Sequence, residues 1–166
     1  MSLTLEENIK ELTRLYNDKN FTDLVHNSKK ILDIDNSSAT IWNFLALGYR
    51  YLGDINNAVN IYEKLIKLNP ENFLLNTNAG NLFFALGRVG DAVKCFEKAL
   101  KTGPNHIETL NSFGIAHTDL GNLDQAQTVF EKILELDDSH RVARFRLGRL
   151  LLRRGKLKEA AKHFEM

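Results

Sequence analysis

A spacing of 34 residues runs through this chain in five separate series. Gly53, Gly87, Gly121 and Gly155 form one, Ala58, Ala92, Ala126 and Ala160 a second, and Tyr62, Phe96, Phe130 and Phe164 a third. The small residues Ala46, Gly80, Gly114 and Gly148 make a fourth, and Pro70 and Pro104 a fifth. Five series held in one register do not arise by chance. A period of this length marks an architecture in which each repeat is one supersecondary unit.

Each unit reads as two helices. Residues 39–52 place Trp42, Leu45, Tyr49 and Leu52 at helical spacing, and residues 55–68 place Ile55, Ala58, Tyr62, Leu65 and Ile66 on one face. Between them, Gly53 offers the left-handed residue that ends a helix and Asp54 the polar residue that caps the next. Pro70 cannot continue a helix interior and closes the unit. A turn of two to four residues makes the two helices antiparallel neighbours. Ala46 and Ala58 are expected where the axes cross, where small residues allow a separation near the short end of the usual ~8–10 Å. The ring at Tyr62 and its equivalents is expected to fill the groove against the following unit. One hairpin cannot bury such a face alone, whereas a stack creates a continuous core.

These residues resemble the tetratricopeptide repeat pattern. Trp42, Leu45, Ala46, Tyr49, Ala58, Tyr62, Leu65 and Pro70 match it in one unit, and Gly80, Phe83, Ala92, Phe96, Ala99 and Pro104 in the next. Phe113, Gly114, Ala126, Phe130 and Ile133 continue it, with Asp138 in place of the proline. Residues 5–38 fit as a degenerate first unit, with Leu12, Leu15, Phe21, Leu24 and Ile31 in register but Lys19 at the turn glycine and Ser28 at the ring. The resemblance implies an all-α fold, a right-handed superhelical solenoid of antiparallel helix hairpins. Its units would be residues 5–38, 39–72, 73–106, 107–140 and a truncated 141–166 in a single array. The last unit stops within its second helix, at Phe164-Glu165-Met166, so the expectation is an excerpt of a longer protein or an end covered by self-association.

Catalysis finds no footing in the sequence. His106 and His140 occupy equivalent links one repeat apart, too distant to share a zinc ion. His117 stands where other units carry Tyr49 or Phe83 and reads as a packed core histidine. Cys95, beside Phe96, reads as a half-buried inert thiol. The glycines follow the repeat turns and form no phosphate-cradling loop. No catalytic residues, metal ligands or cofactors are expected. Apolar residues at 43 % and charged residues at 26 % fit a folded soluble chain and not a disordered one. No run approaches the ~18 apolar residues that a membrane span needs, and the N-terminus lacks the regions of a signal peptide. With one cysteine and therefore no internal disulfide, a cytoplasmic location is expected, in a free or a membrane-attached parent protein.

A protein or peptide ligand is the expected partner. By resemblance, the inner face of the array takes certain positions of each first helix. In this chain these are Asn43, Phe44, Leu47, Arg50 and Tyr51, then Thr77, Asn78, Asn81 and Phe84. Asn111, Ser112, Ile115 and Asp119 follow, and Phe145, Arg146, Arg149 and Arg153 finish the face. The asparagines can bond an extended backbone, and exposed aromatics mark interaction sites. Residues 1–140 hold 13 Lys/Arg against 19 Asp/Glu, and residues 141–166 hold 9 against 2. The balances are −6 and +7, a polarity that orients partners. Arg146, Arg149 and Arg153 at helical spacing suit an acidic segment or terminal carboxylate; a solvated stripe is the plain alternative. Nucleic acid is not expected, because no groove-entering motif is present. The clamp with which related co-chaperones hold chaperone tails is matched at only two of five positions, Asn81 and Arg146. Two other readings stand beside the adaptor. Leu15-Tyr16 and Trp42-Asn43 resemble the start of arrays ahead of bacterial sugar- or sulfate-transferring domains, which would make the chain an enzyme's targeting arm. Self-assembly through the C-terminal end is the other.

Overall fold

The computed structural model describes residues 4–165. The readings placed on residues 1–3 and 166 lie outside them. Ten α-helices and no strand occur among the described residues: α1 Leu5–Asn17, α2 Phe21–Ile34, α3 Ala39–Tyr51, α4 Ile55–Leu68, α5 Phe73–Ala85, α6 Val89–Thr102, α7 Ile107–Asp119, α8 Leu123–Leu136, α9 Arg141–Arg153 and α10 Leu157–Glu165. A 13-residue helix, a three-residue turn, a 14-residue helix and a four-residue link make up the 34-residue period.

Local chemistry sets each boundary. Gly53, Gly87, Gly121 and Gly155 all adopt positive φ, between 73° and 83°, at the turn inside each hairpin. At the degenerate turn Lys19 takes the same left-handed conformation, with φ 56°. Thr4 and Glu7 form a reciprocal capping box on α1, and Ser38, Asp54 and Asn72 cap α3, α4 and α5. At α7 and α9 a histidine does this work: Nδ1 of His106 accepts from the Thr109 amide at 3.3 Å, and Nδ1 of His140 from the Ala143 amide at 3.1 Å. Both links are therefore helix starts capped by an imidazole nitrogen.

The chain resolves into two compact units, Met1–Pro70 and Glu71–Met166. In the first, α1 packs on α2, α2 and α4 on α3, and α1 also touches α3. Its core centres on Leu12, Leu24, Ile41 and Leu45. In the second, each helix packs on the next in sequence, and α5 touches α7. Leu110, Phe130, Ile133, Leu147 and Leu150 belong to a core cluster in it.

The aromatic series makes a contact within its own hairpin that periodicity does not disclose. Phe130 shares its core cluster with Leu147 and Leu150 of the following repeat, and Phe130 and Phe164 each also lie on the glycine of their own hairpin. A Cβ added to Gly114 would fall 2.7 Å from the Phe130 ring, and one on Gly148 would fall 2.7 Å from Phe164. The three-residue turn brings the residue sixteen positions on to the same level, and the missing side chain leaves the hole the ring fills. Tyr62 also turns to its own hairpin, its hydroxyl donating to Asn43 Oδ1 at 3.1 Å. In the first repeat the sizes are exchanged: Leu12 stands at the glycine position and Ser28 at the ring position, and both are fully buried.

Candidate functional site

In the first unit the expected face is only partly presented. Asn43 and Leu47, expected to be exposed, are buried at 8 % and 7 %. The Tyr62 hydroxyl captures Asn43, and Leu47 falls on the inward side of α3. Phe44 is half-buried against the Leu12–Leu45 core. What remains at the surface is an aromatic cluster. Tyr51 stacks on Phe21 with centroids 4.4 Å apart and planes 8° from parallel, and Arg50 lies 5.6 Å from the Tyr51 ring. Tyr16 joins edge-on, its hydroxyl 3.4 Å from that of Tyr51. The shared hydrogen bond, then partial burial, pushes the Tyr16 phenol up to about 12. Tyr16 and Phe21 were not among the expected site residues, because they come from the degenerate repeat.

The second unit brings the basic stripe to a recess. Arg146, Arg149 and Arg153 on α9 line about 200 Å³ together with Ile115, Thr118 and Asp119 on α7. Two of the expected positions hold buried polar atoms with no hydrogen-bond partner, Nε of Arg146 and Oδ1 of Asn111. Leaving such a group unmet costs roughly 1–3 kcal/mol. Asn78, Asn81, Phe84 and Ser112 are half-buried on α5 and α7, and a Thr77–Thr109 hydroxyl contact at 3.2 Å joins these two helices. Phe145 is exposed but leans on α10, edge-on to Phe164 at 5.9 Å, with the Arg149 guanidinium 5.9 Å from its ring. Arg154, next to the stripe, is engaged by Asp124 at 2.6 Å and Gln127 at 2.7 Å.

The remaining chemistry-bearing residues are packed. His117 is buried edge-on to Phe113, and burial lowers its pKa. Cys95 is buried, and desolvation pushes its thiol up to about 11. Among the described residues no group of three metal-ligating side chains converges, and no helix is long and apolar enough to cross a membrane.

A hairpin repeat of 13 and 14 residues with these small-on-ring contacts defines a helical-repeat scaffold. The tetratricopeptide repeat family matches residues 45–107 and 112–166, and the chain belongs to that family. No curated protein matches the sequence. Among solved structures it is similar to MamA residues 41–end of Desulfovibrio magneticus RS-1 (19 % identity, TM-score 0.85), over 96 % of this chain and 90 % of that one. It is also similar to PilF of Pseudomonas aeruginosa (20 % identity, TM-score 0.86, 96 % and 73 % covered). A third is YrrB, described as a TPR protein with an unusual peptide-binding site (22 % identity, TM-score 0.81, 95 % and 81 % covered). These likenesses establish the fold, and with the family they make the chain a protein-interaction scaffold in general terms.

Proposed function

We propose that this chain is a non-catalytic adaptor that holds an acidic, extended peptide segment against α7 and α9. The observation that carries this reading is the unpartnered, buried Nε of Arg146 in a recess shared with Arg149 and Arg153. A carboxylate entering there would meet an N–H donor already stripped of water, flanked by two further guanidinium groups. Such charge-assisted bonds are about twice as strong as neutral ones. Asn111 Oδ1, also unmet, would accept from a backbone amide of the same segment. Ile115 supplies an apolar contact between them. YrrB's description as a peptide binder makes a peptide the ligand class to test first.

The test is fluorescence anisotropy with a labelled hexaglutamate peptide and its hexaglutamine twin. The chain should bind the acidic peptide, more weakly as salt rises. Arg146→Glu with Arg149→Glu and Arg153→Glu should weaken it by roughly a hundredfold, since each lost charge pair is worth on the order of 1 kcal/mol or more. Equal binding of the two peptides, or an unaffected triple variant, would leave the arginines as a solvated stripe.

A further inference from the structure

A groove within the first unit lies away from the expected face. It opens between α2, α3 and α4, encloses about 820 Å³, and has Trp42, Tyr49, Ile61, Leu65 and Leu68 among its walls. Leu68 is 77 % exposed, an unusual state for a large apolar side chain beside other apolar ones. The repeat register explains the opening. Ala39 and Asn69 line it, and 34 residues later their counterparts are Phe73 and Gly103. There the Phe73 ring lies so close over residue 103 that a Cβ on Gly103 would sit 2.7 Å from it, and it meets His106 edge-on at 4.8 Å. One repeat further, Ile107 takes the same position and packs against the core. Only in the first unit is the position reduced to a methyl group. The second unit thus displays what the groove lacks: an aromatic or large apolar side chain resting on the end of the hairpin.

The walls also carry a charge preference. Lys29 on α2 and Lys64 on α4 border the groove, against the single carboxylate of Asp33. Lys29 Nζ lies 5.2 Å from the Tyr49 ring centroid, so its charge is held over the apolar floor. The Trp42 indole N–H is taken by the Asn36 carbonyl at 2.9 Å, which fixes the ring in the wall. A volume larger than one ring leaves room for backbone on either side.

We propose that this groove binds a partner's peptide segment through one inserted aromatic side chain, with acidic residues flanking it. The site is separate from the arginine recess and does not depend on it. Trp42 is the only tryptophan of the chain and reports directly on occupancy. The probe is the peptide acetyl-Glu-Glu-Phe-Glu-Glu-amide, titrated while Trp42 emission is followed, beside a twin with alanine in the centre and a twin with lysine for glutamate. The phenylalanine peptide should give a saturable change, and each twin should bind at least roughly tenfold more weakly. Ala39→Phe with Asn69→Gly copies the pair the chain uses at 73 and 103, so it should fold normally and abolish the response. Lys29→Glu with Lys64→Glu, both at the surface, should weaken it at least roughly fivefold. The three arginine substitutions on α9 should leave it unchanged, which separates this site from the other. No saturable change up to millimolar peptide, equal binding of the alanine twin, or an undiminished response in the filled variant overturns the proposal.

Discussion

The Phe96 ring occupies the place of a side chain on Gly80: a Cβ there would lie 2.6 Å from Phe96 Cε1. Phe96 is fully buried, so its ring cannot swing into solvent to make room. Gly80→Leu should therefore cost roughly 3 kcal/mol by overpacking, and Phe96→Ser should cost on the order of 3–5 kcal/mol by leaving a cavity. Together they recreate the Leu12–Ser28 order of the first repeat. The double variant should be less destabilised than the two singles combined, with a coupling of about 1–3 kcal/mol. Urea unfolding of the four proteins measures it. Simple additivity would mean that the glycine–ring contact does not set the approach of α5 and α6.

The turn at Lys19 carries a conformational cost that its four glycine counterparts avoid. A left-handed conformation costs a residue with a Cβ about 1–2 kcal/mol, partly offset by the greater chain entropy that glycine loses on folding. Lys19→Gly should stabilise the protein by roughly 0.5 kcal/mol. Gly87→Ala should destabilise it by about 1 kcal/mol. Nothing lies within 4 Å of the added Cβ at Gly87, so that loss is one of backbone conformation and not of collision. Thermal melts should move in opposite directions, by roughly 2–4 °C per kcal/mol for a chain of this size. Shifts of the same sign would contradict this account of the turn.

The sequence discloses the hairpins because their signals are local. Gly53 ends one helix, Asp54 begins the next, and the apolar spacing between such marks fixes the faces. The partners of the rings are less legible, since periodicity shows that Gly80 and Phe96 recur but not that they meet. Asn43 illustrates the same limit at the candidate site. Its position by resemblance is an exposed one, yet the Tyr62 hydroxyl, 19 residues on, draws it inward. Units with phenylalanine there offer no such hydroxyl. Arg146 was visible as part of a helical stripe, whereas the burial of its Nε depends on how α7 and α9 come together. The groove beside Trp42 had a readable signal in Ala39, once it is aligned with Phe73 and Ile107.

Cys95 should be chemically silent at neutral pH. Desolvation raises its thiol from 9.0 to about 11, so the reactive thiolate is roughly a hundredfold scarcer than in the unfolded chain. Its side chain is only 4 % exposed, which slows attack further. A disulfide-exchange reagent at pH 7.5 should label the native protein at least a hundredfold more slowly than the protein in urea. Labelling of the native chain at the unfolded rate would place Cys95 at the surface and move the face of α6.

His117 should make stability fall in mildly acidic solution. The ring is 6 % exposed, lies 4.4 Å from Phe113 centroid to centroid, and holds Nδ1 3.3 Å from Asn122 Nδ2. An amide donor at Nδ1 suits the neutral ring, and burial opposes the charged one, so the folded-state pKa lies below the ordinary 6.5 despite the opposing charge of Glu97. The unfolded chain then binds more protons than the folded one as pH drops through about 6.5. The stability due to the neutral ring is complete above that pH and is lost progressively below it, down to the folded-state value. His117→Phe places in α7 the residue that Phe83 supplies in α5, and it removes the titration. Its unfolding free energy should decline less between pH 7.5 and pH 5.5 than that of the parent, even though Asn122 loses a partner and the variant starts lower. The other four histidines are present in both proteins and cancel in the comparison. Parallel pH profiles would show that His117 is protonated equally easily in the folded and unfolded chain, and would place water against a ring that lies within the core.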